Sequence, residues 1–130
     1  MRMDRLPDIA LLASRFLVGG LFLAGAVQKI AAPGAAQALL AMQSLPEALV
    51  WPALAFNAMT GALIVMGVWV RPVAVVLAAY CGLTSFFHLI PADPWQMSIF
   101  IKNWAIAGGC LALAVAGPGR YALWRDPALT

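Results

Sequence analysis

The chain has 130 residues, 64% of them hydrophobic and 10% charged, with a formal net charge of +3. So few charges cannot cover the apolar surface of a soluble fold, and the length allows one domain. The basic residues stand singly along the chain, which excludes a nucleic-acid surface and suits topology markers in a membrane protein.

Four apolar stretches fill most of the chain, at about 9–30, 48–70, 72–90 and 99–117. Each is close to the ~20 residues that carry an α-helix across a bilayer. They predict an all-α fold, an antiparallel bundle of four transmembrane helices in a single domain over 1–130.

The first stretch opens after Arg2 and Arg5, and Pro7 suits a helix start. Its basic lead and Ala24-Gly25-Ala26 imitate a cleaved signal peptide, but Asp8 and Arg15 interrupt the apolar run, and the stretch is read as a retained span. Gly19, Gly20, Ala24 and Gly25 let another helix come close. The link 31–47 holds an apolar run bounded by Pro33 and Pro46, read as a short helix lying in the interface. In the second span Asn57, Thr60 and Gly61 share one face. Val70-Arg71-Pro72 is read as a tight hairpin into the third span, which ends in Ser85-Phe86-Phe87-His88. Asp93 and Gln96 fall in the loop before the fourth span, and Gly108-Gly109 within it is expected to be a second close-approach site. The tryptophans 51, 69, 95, 104 and 124 lie at or near span ends, where amphipathic rings prefer to sit.

Arg2, Arg5, Arg71, Arg120 and Arg125 fall on one side of such a bundle, whereas 31–47 and 91–98 hold Glu47 and Asp93 and no basic residue. Both termini are therefore expected in the cytoplasm. Cys81 and Cys110 lie mid-span with no Cys-x-x-Cys and read as small packing residues. One histidine cannot supply bis-His haem ligation, and no zinc, copper, P-loop or nucleophile-elbow pattern occurs.

Two sets of polar residues carry the functional expectation. Arg15 lies about seven residues into the first span, where a charge costs ~2.5–3.5 kcal/mol. Either it faces the bundle and meets Asn57, Thr60, a carbonyl, lipid or a ligand, or it snorkels to the headgroups. Near the opposite surface, Gln28, Lys29, His88, Asp93, Gln96, Lys102 and Asn103 share one depth, with Phe86, Phe87, Trp95, Phe100 and Trp104 around them. This set reads either as an electropositive, aromatic-rimmed pocket for a quinone ring or anion, or as two snorkelling lysines and a helix-capping histidine.

The same residues bring a family into view. Arg15-Phe-Leu-Val-Gly19, Gly25-Ala-Val-Gln-Lys29, Thr60-Gly-Ala-Leu-Ile-Val-Met-Gly67, Arg71, Phe87-His88, Phe100-Ile-Lys-Asn103, Ala107-Gly-Gly109 and Gly117-Pro-Gly-Arg-Tyr121 resemble, in order and spacing, the DoxX family of small bacterial membrane proteins. The resemblance implies a multi-pass protein of the bacterial inner membrane. It also implies association with quinol oxidase or thiosulfate–quinone oxidoreductase complexes and with oxidative-stress assemblies. Two departures stand out. Asn57 occupies a position where the family usually has Glu, which removes the natural partner for Arg15, and Tyr121-Ala-Leu-Trp124 replaces the usual ending.

The expected function is an accessory or quinone-linked subunit of a membrane redox complex; the alternative is a non-enzymatic scaffold or small-solute permeation protein. The expected ligand-binding residues are Arg15, Lys29, Asn57, His88, Lys102 and Asn103. No intrinsic cofactor is expected, and quinone is the candidate ligand. The expected partners are the lipid bilayer, redox-complex subunits and further copies of the chain.

Overall fold

The computed structural model describes residues 5–124, so Arg2 and Arg125 of the charge argument lie outside the described residues. The elements are α1 (Leu6–Ala31), α2 (Pro33–Met42), a 3-10 turn (Glu47–Leu49), α3 (Val50–Met66), α4 (Val70–Ser85), a second 3-10 turn (Phe86–His88) and α5 (Pro94–Ala116). No strand occurs among the described residues. Four segments are long and apolar enough to span a bilayer: Leu6–Ala31, Glu47–Met66, Val70–His88 and Pro94–Ala116. The short helix expected between the first two spans is α2, and it has no buried residue.

Two boundaries differ from the hydropathy reading. The α3–α4 hairpin turns at 67–69 and not at 70–72. Gly67 (φ 78) takes the left-handed conformation that ends a helix, and Trp69 (φ 51) takes it again. Arg71 and Pro72 then fall in the first turn of α4, where a proline's missing N–H is no loss. At the other hairpin, α5 begins at Pro94, about five residues before the apolar run. The Asp93 carboxylate caps it, accepting the N–H of Trp95 at 3.0 Å and of Gln96 at 3.4 Å. Hydropathy marks only the apolar part of a helix; a capped polar first turn is invisible to it.

The bundle is two antiparallel pairs, α1 with α3 and α4 with α5, and the pairs meet each other more sparsely. Gly19 and Gly61 set the first pair. The expected approach at Gly108-Gly109 is absent: a Cβ at Gly20, Gly108 or Gly109 would meet nothing within 4 Å. The core between the pairs holds Phe22, Ile64, Leu77, Cys81, Cys110 and Leu113, with both cysteines free and buried. The outward faces carry large apolar side chains in the open, among them Leu17 (76% exposed), Leu83 (72%) and Val115 (79%). Such a surface suits contact with acyl chains.

Candidate functional site

The six expected residues divide between the two ends of the bundle. At the end that carries the first residues of α1 and the last of α5, Arg15 is 2% exposed and does not snorkel. Its Nη1 donates to the Pro118 carbonyl at 2.7 Å and its Nη2 to the Val65 carbonyl at 3.2 Å. Neither Asn57 nor Thr60 is its partner; the Thr60 hydroxyl donates back to Phe56 O at 2.7 Å.

Helix geometry explains this arrangement. The last carbonyls of a helix have no intrahelical donor. At α3 each finds one: Leu63 O accepts from Gly67 and Val68 N–H, Ile64 O from Gly67, Val65 O from Arg15, and Met66 O from Leu123 N–H at 3.1 Å. Arg71 serves α5 likewise, donating from Nη1 to the Ala114 and Val115 carbonyls. Cations at helix C-termini also oppose the negative end of the dipole. The segment 117–124 closes this end. Gly117 (φ 83) and Gly119 (φ 77) give it the turns that carry it across, and Arg120 N–H donates to Asp8 at 3.0 Å. Arg15 is thus a structural tie at the opposite end from the other expected site residues.

The opposite end holds a cavity of about 250 Å³. Lys29 enters from α1, Ala36, Leu39 and Leu40 from α2, Leu45 from the link and Leu49 from the first 3-10 turn. Val50 and Ala53 enter from α3, Tyr80 and Thr84 from α4, and Phe87 and His88 from the 3-10 turn. Apolar walls with a few polar groups are the usual make-up of a small-molecule site. This one lies just below the usual ~300 Å³ lower bound, which suits a single ring and not a whole amphiphile.

The polar groups are held from behind. Tyr80 is wedged between Phe22 and Phe56, with ring centroids at 6.2 and 4.6 Å. The Asn57 side chain lies beside the Tyr80 hydroxyl. Asn57 is 3% exposed, and its Oδ1 accepts no hydrogen bond among the described residues. A Cβ built on Gly25 would lie 3.7 Å from Asn57 Oδ1 and 3.9 Å from Lys29 Nζ, so the two groups share one small region. His88 Nδ1 lies 2.6 Å from Gln96 Oε1.

This corrects three expectations. Lys102 is exposed, with Nζ 5.6 Å from the Trp95 ring centroid, and does not line the cavity. Asn103, half-buried, does not line it either. Shared depth does not fix direction around a helix, and the cavity opens on α1–α4 while both residues sit on α5. Phe86, Phe100 and Trp104 form an edge-to-face cluster of their own, and only Phe87 of the named aromatics reaches the cavity. The third correction concerns position 57. The antiparallel pair sets residue 25 beside 57 and residue 15 beside 65. A carboxylate at 57 would therefore face Lys29, not Arg15.

Tyr80 and Thr84 had no sequence motif to mark them. Their signal is spacing, since 80 and 84 share one face of α4 at i and i+4, and 88 follows four residues on, in the 3-10 turn that continues the helix.

Comparison with known proteins agrees with this architecture. The DoxX family model matches residues 10–89, which cover α1 to just beyond α4. The inner membrane protein YqjF of Escherichia coli strain K12 is 31% identical over 124 residues, covering 95% of each chain. No solved structure gives a significant match. Four spans and these matches together place the chain in the DoxX family of multi-pass bacterial inner-membrane proteins.

Proposed function

We propose that the protein binds the head group of a membrane quinone and serves as an accessory subunit of a membrane redox complex. One observation carries the reading: a cavity of about 250 Å³ that sets Lys29, Tyr80, Thr84 and His88 against apolar walls. Apolar walls suit the ring. An ammonium that meets no carboxylate on the cavity wall suits a ring oxygen that gains negative charge. The cavity leaves the isoprenoid tail to the bilayer. In this reading the chain supplies binding and orientation, and a partner subunit supplies the redox centre.

The orientation is part of the proposal. Arg71 and Arg120 lie at the Arg15 end, and Glu47 and Asp93 at the cavity end. That bias supports both termini in the cytoplasm and the cavity at the periplasmic edge.

The test is titration of a short-chain quinone analogue into the purified protein, followed by tryptophan fluorescence. Saturable binding is expected, weakened roughly 10-fold or more by Lys29→Ala through loss of a charged hydrogen bond. Absence of saturable binding would leave the scaffold reading in its place.

A further inference from the structure

We propose that the cavity selects a ring bearing a phenolic hydroxyl, the reduced form of a quinone, because Gln96 fixes His88 in the tautomer whose Nε2 accepts a hydrogen bond. This rests on the quinone reading above and adds which redox form the site prefers.

The argument starts at the Asp93 cap. By opening α5 at Pro94, it puts Gln96 in the first turn, three residues past the cap. From there Gln96 Oε1 meets His88 Nδ1 at 2.6 Å. A carboxamide oxygen only accepts, so this contact assigns the proton to Nδ1. A neutral imidazole then has a bare lone pair at Nε2. His88 lines the cavity, and Nε2 is its remaining site for a ligand. A second unpaired acceptor, Asn57 Oδ1, is buried in the same region as Lys29 Nζ but does not line the cavity. Lys29, reaching the same cavity from α1, donates only.

The polar groups at the cavity thus include both signs of hydrogen-bonding partner. A fully oxidised quinone presents only acceptor oxygens. It satisfies Lys29 but turns an oxygen lone pair toward the lone pair of Nε2. A hydroquinone satisfies both, its hydroxyl donating to His88 and an oxygen accepting from Lys29. A site built to pair a hydroxyl discriminates strongly against an analogue that lacks it. The expected preference is about 10-fold or more, the equivalent of one hydrogen bond. Gln96 touches no ligand and is a positioning residue.

His88 is the single histidine of the chain, so selective 15N-histidine labelling gives one imidazole. The spectrum of the purified protein is recorded at about pH 8, above the ordinary imidazole range. The probe is a tetramethyl benzoquinone, which has no open ring position to alkylate thiols, added oxidised or reduced. The expected result is a protonated Nδ1 and an unprotonated Nε2, with Nε2 shifting on addition of the hydroquinone. Binding of the reduced form should be at least 10-fold tighter. Gln96→Leu should give a mixture of tautomers and narrow that preference.

A protonated Nε2 in the free protein overturns the inference and leaves the quinone reading intact. So does equal binding of both forms with Nε2 unmoved. An unaltered tautomer and preference in Gln96→Leu overturns the role of Gln96. Saturable binding of neither form overturns this inference and the quinone reading together.

Discussion

Gly19 and Gly61 each occupy the space that a side chain on the other would need. A Cβ at Gly19 would lie 2.8 Å from Gly61 O and 2.6 Å from Val65 Cγ2; a Cβ at Gly61 would lie 2.9 Å from Gly19 O. Two backbones pressed this closely gain dispersion along their length, which is the main attraction between helices in lipid. The contact also sets the register that brings Arg15 to Val65 and Gly25 to Asn57.

Gly61→Ala should therefore destabilise the bundle by roughly 1–3 kcal/mol, the usual cost of overpacking. Gly20→Ala, whose Cβ would meet nothing within 4 Å, should be neutral or slightly stabilising. Thermal melting in one detergent compares the two. Equal melting temperatures would remove Gly61 from the contact.

Arg15→Leu should lower stability by about 2 kcal/mol or more, because it strands the Val65 and Pro118 carbonyls inside the protein. Arg15→Lys should recover only part of this, since an ammonium lacks the planar fork that reaches both carbonyls. Melting of the two variants beside wild type decides it. An unchanged or raised melting temperature for Arg15→Leu would contradict the tie.

Lys102→Ala should leave quinone-analogue binding within about 2-fold of wild type, because Lys102 lies out over Trp95. Lys29→Ala should weaken the same binding about 10-fold or more. Parallel fluorescence titrations give both numbers. Equal losses would return Lys102 to the site.

Orientation is checked by labelling. In a Cys81→Ala, Cys110→Ala background, Ala35→Cys and Ala92→Cys should react in intact spheroplasts with an impermeant thiol reagent. Trp124→Cys should react only after permeabilisation. All three native side chains are exposed, so access through the membrane is the variable. The reverse pattern would invert the assignment of the cytoplasmic side.

The fold was legible because its strongest determinant is additive. Runs of apolar residues sum to a span whatever their neighbours, and the four spans lie where hydropathy puts them. The polar residues were legible in kind and not in direction. Arg15 is costly anywhere in a span, so its importance shows in the sequence. That its partners are backbone carbonyls does not, because carbonyls carry no residue signature. Lys29 and His88 do share a cavity, whereas Lys102 and Asn103 share only their depth. Rotation about a helix axis depends on the register of its neighbour, and Gly61 sets that register without announcing which glycine it meets. Tyr80 escaped notice because an aromatic on an apolar helix reads as packing until Asn57 and the cavity flank it.

The segment 117–124 has a consequence for biogenesis. Its residues leave the ribosome after all four spans, yet Pro118 O completes Arg15, and Leu123 and Trp124 N–H complete the carbonyls of Met66 and Gly67. Insertion and setting of the bundle are therefore separate events. Each helix pair enters the bilayer on its own hydrophobicity, as spans do before they associate. Until the tail folds back, the open carbonyls and the guanidinium must be served by headgroup water. A released chain truncated after Ala116 would keep all four spans and still be loose at that end.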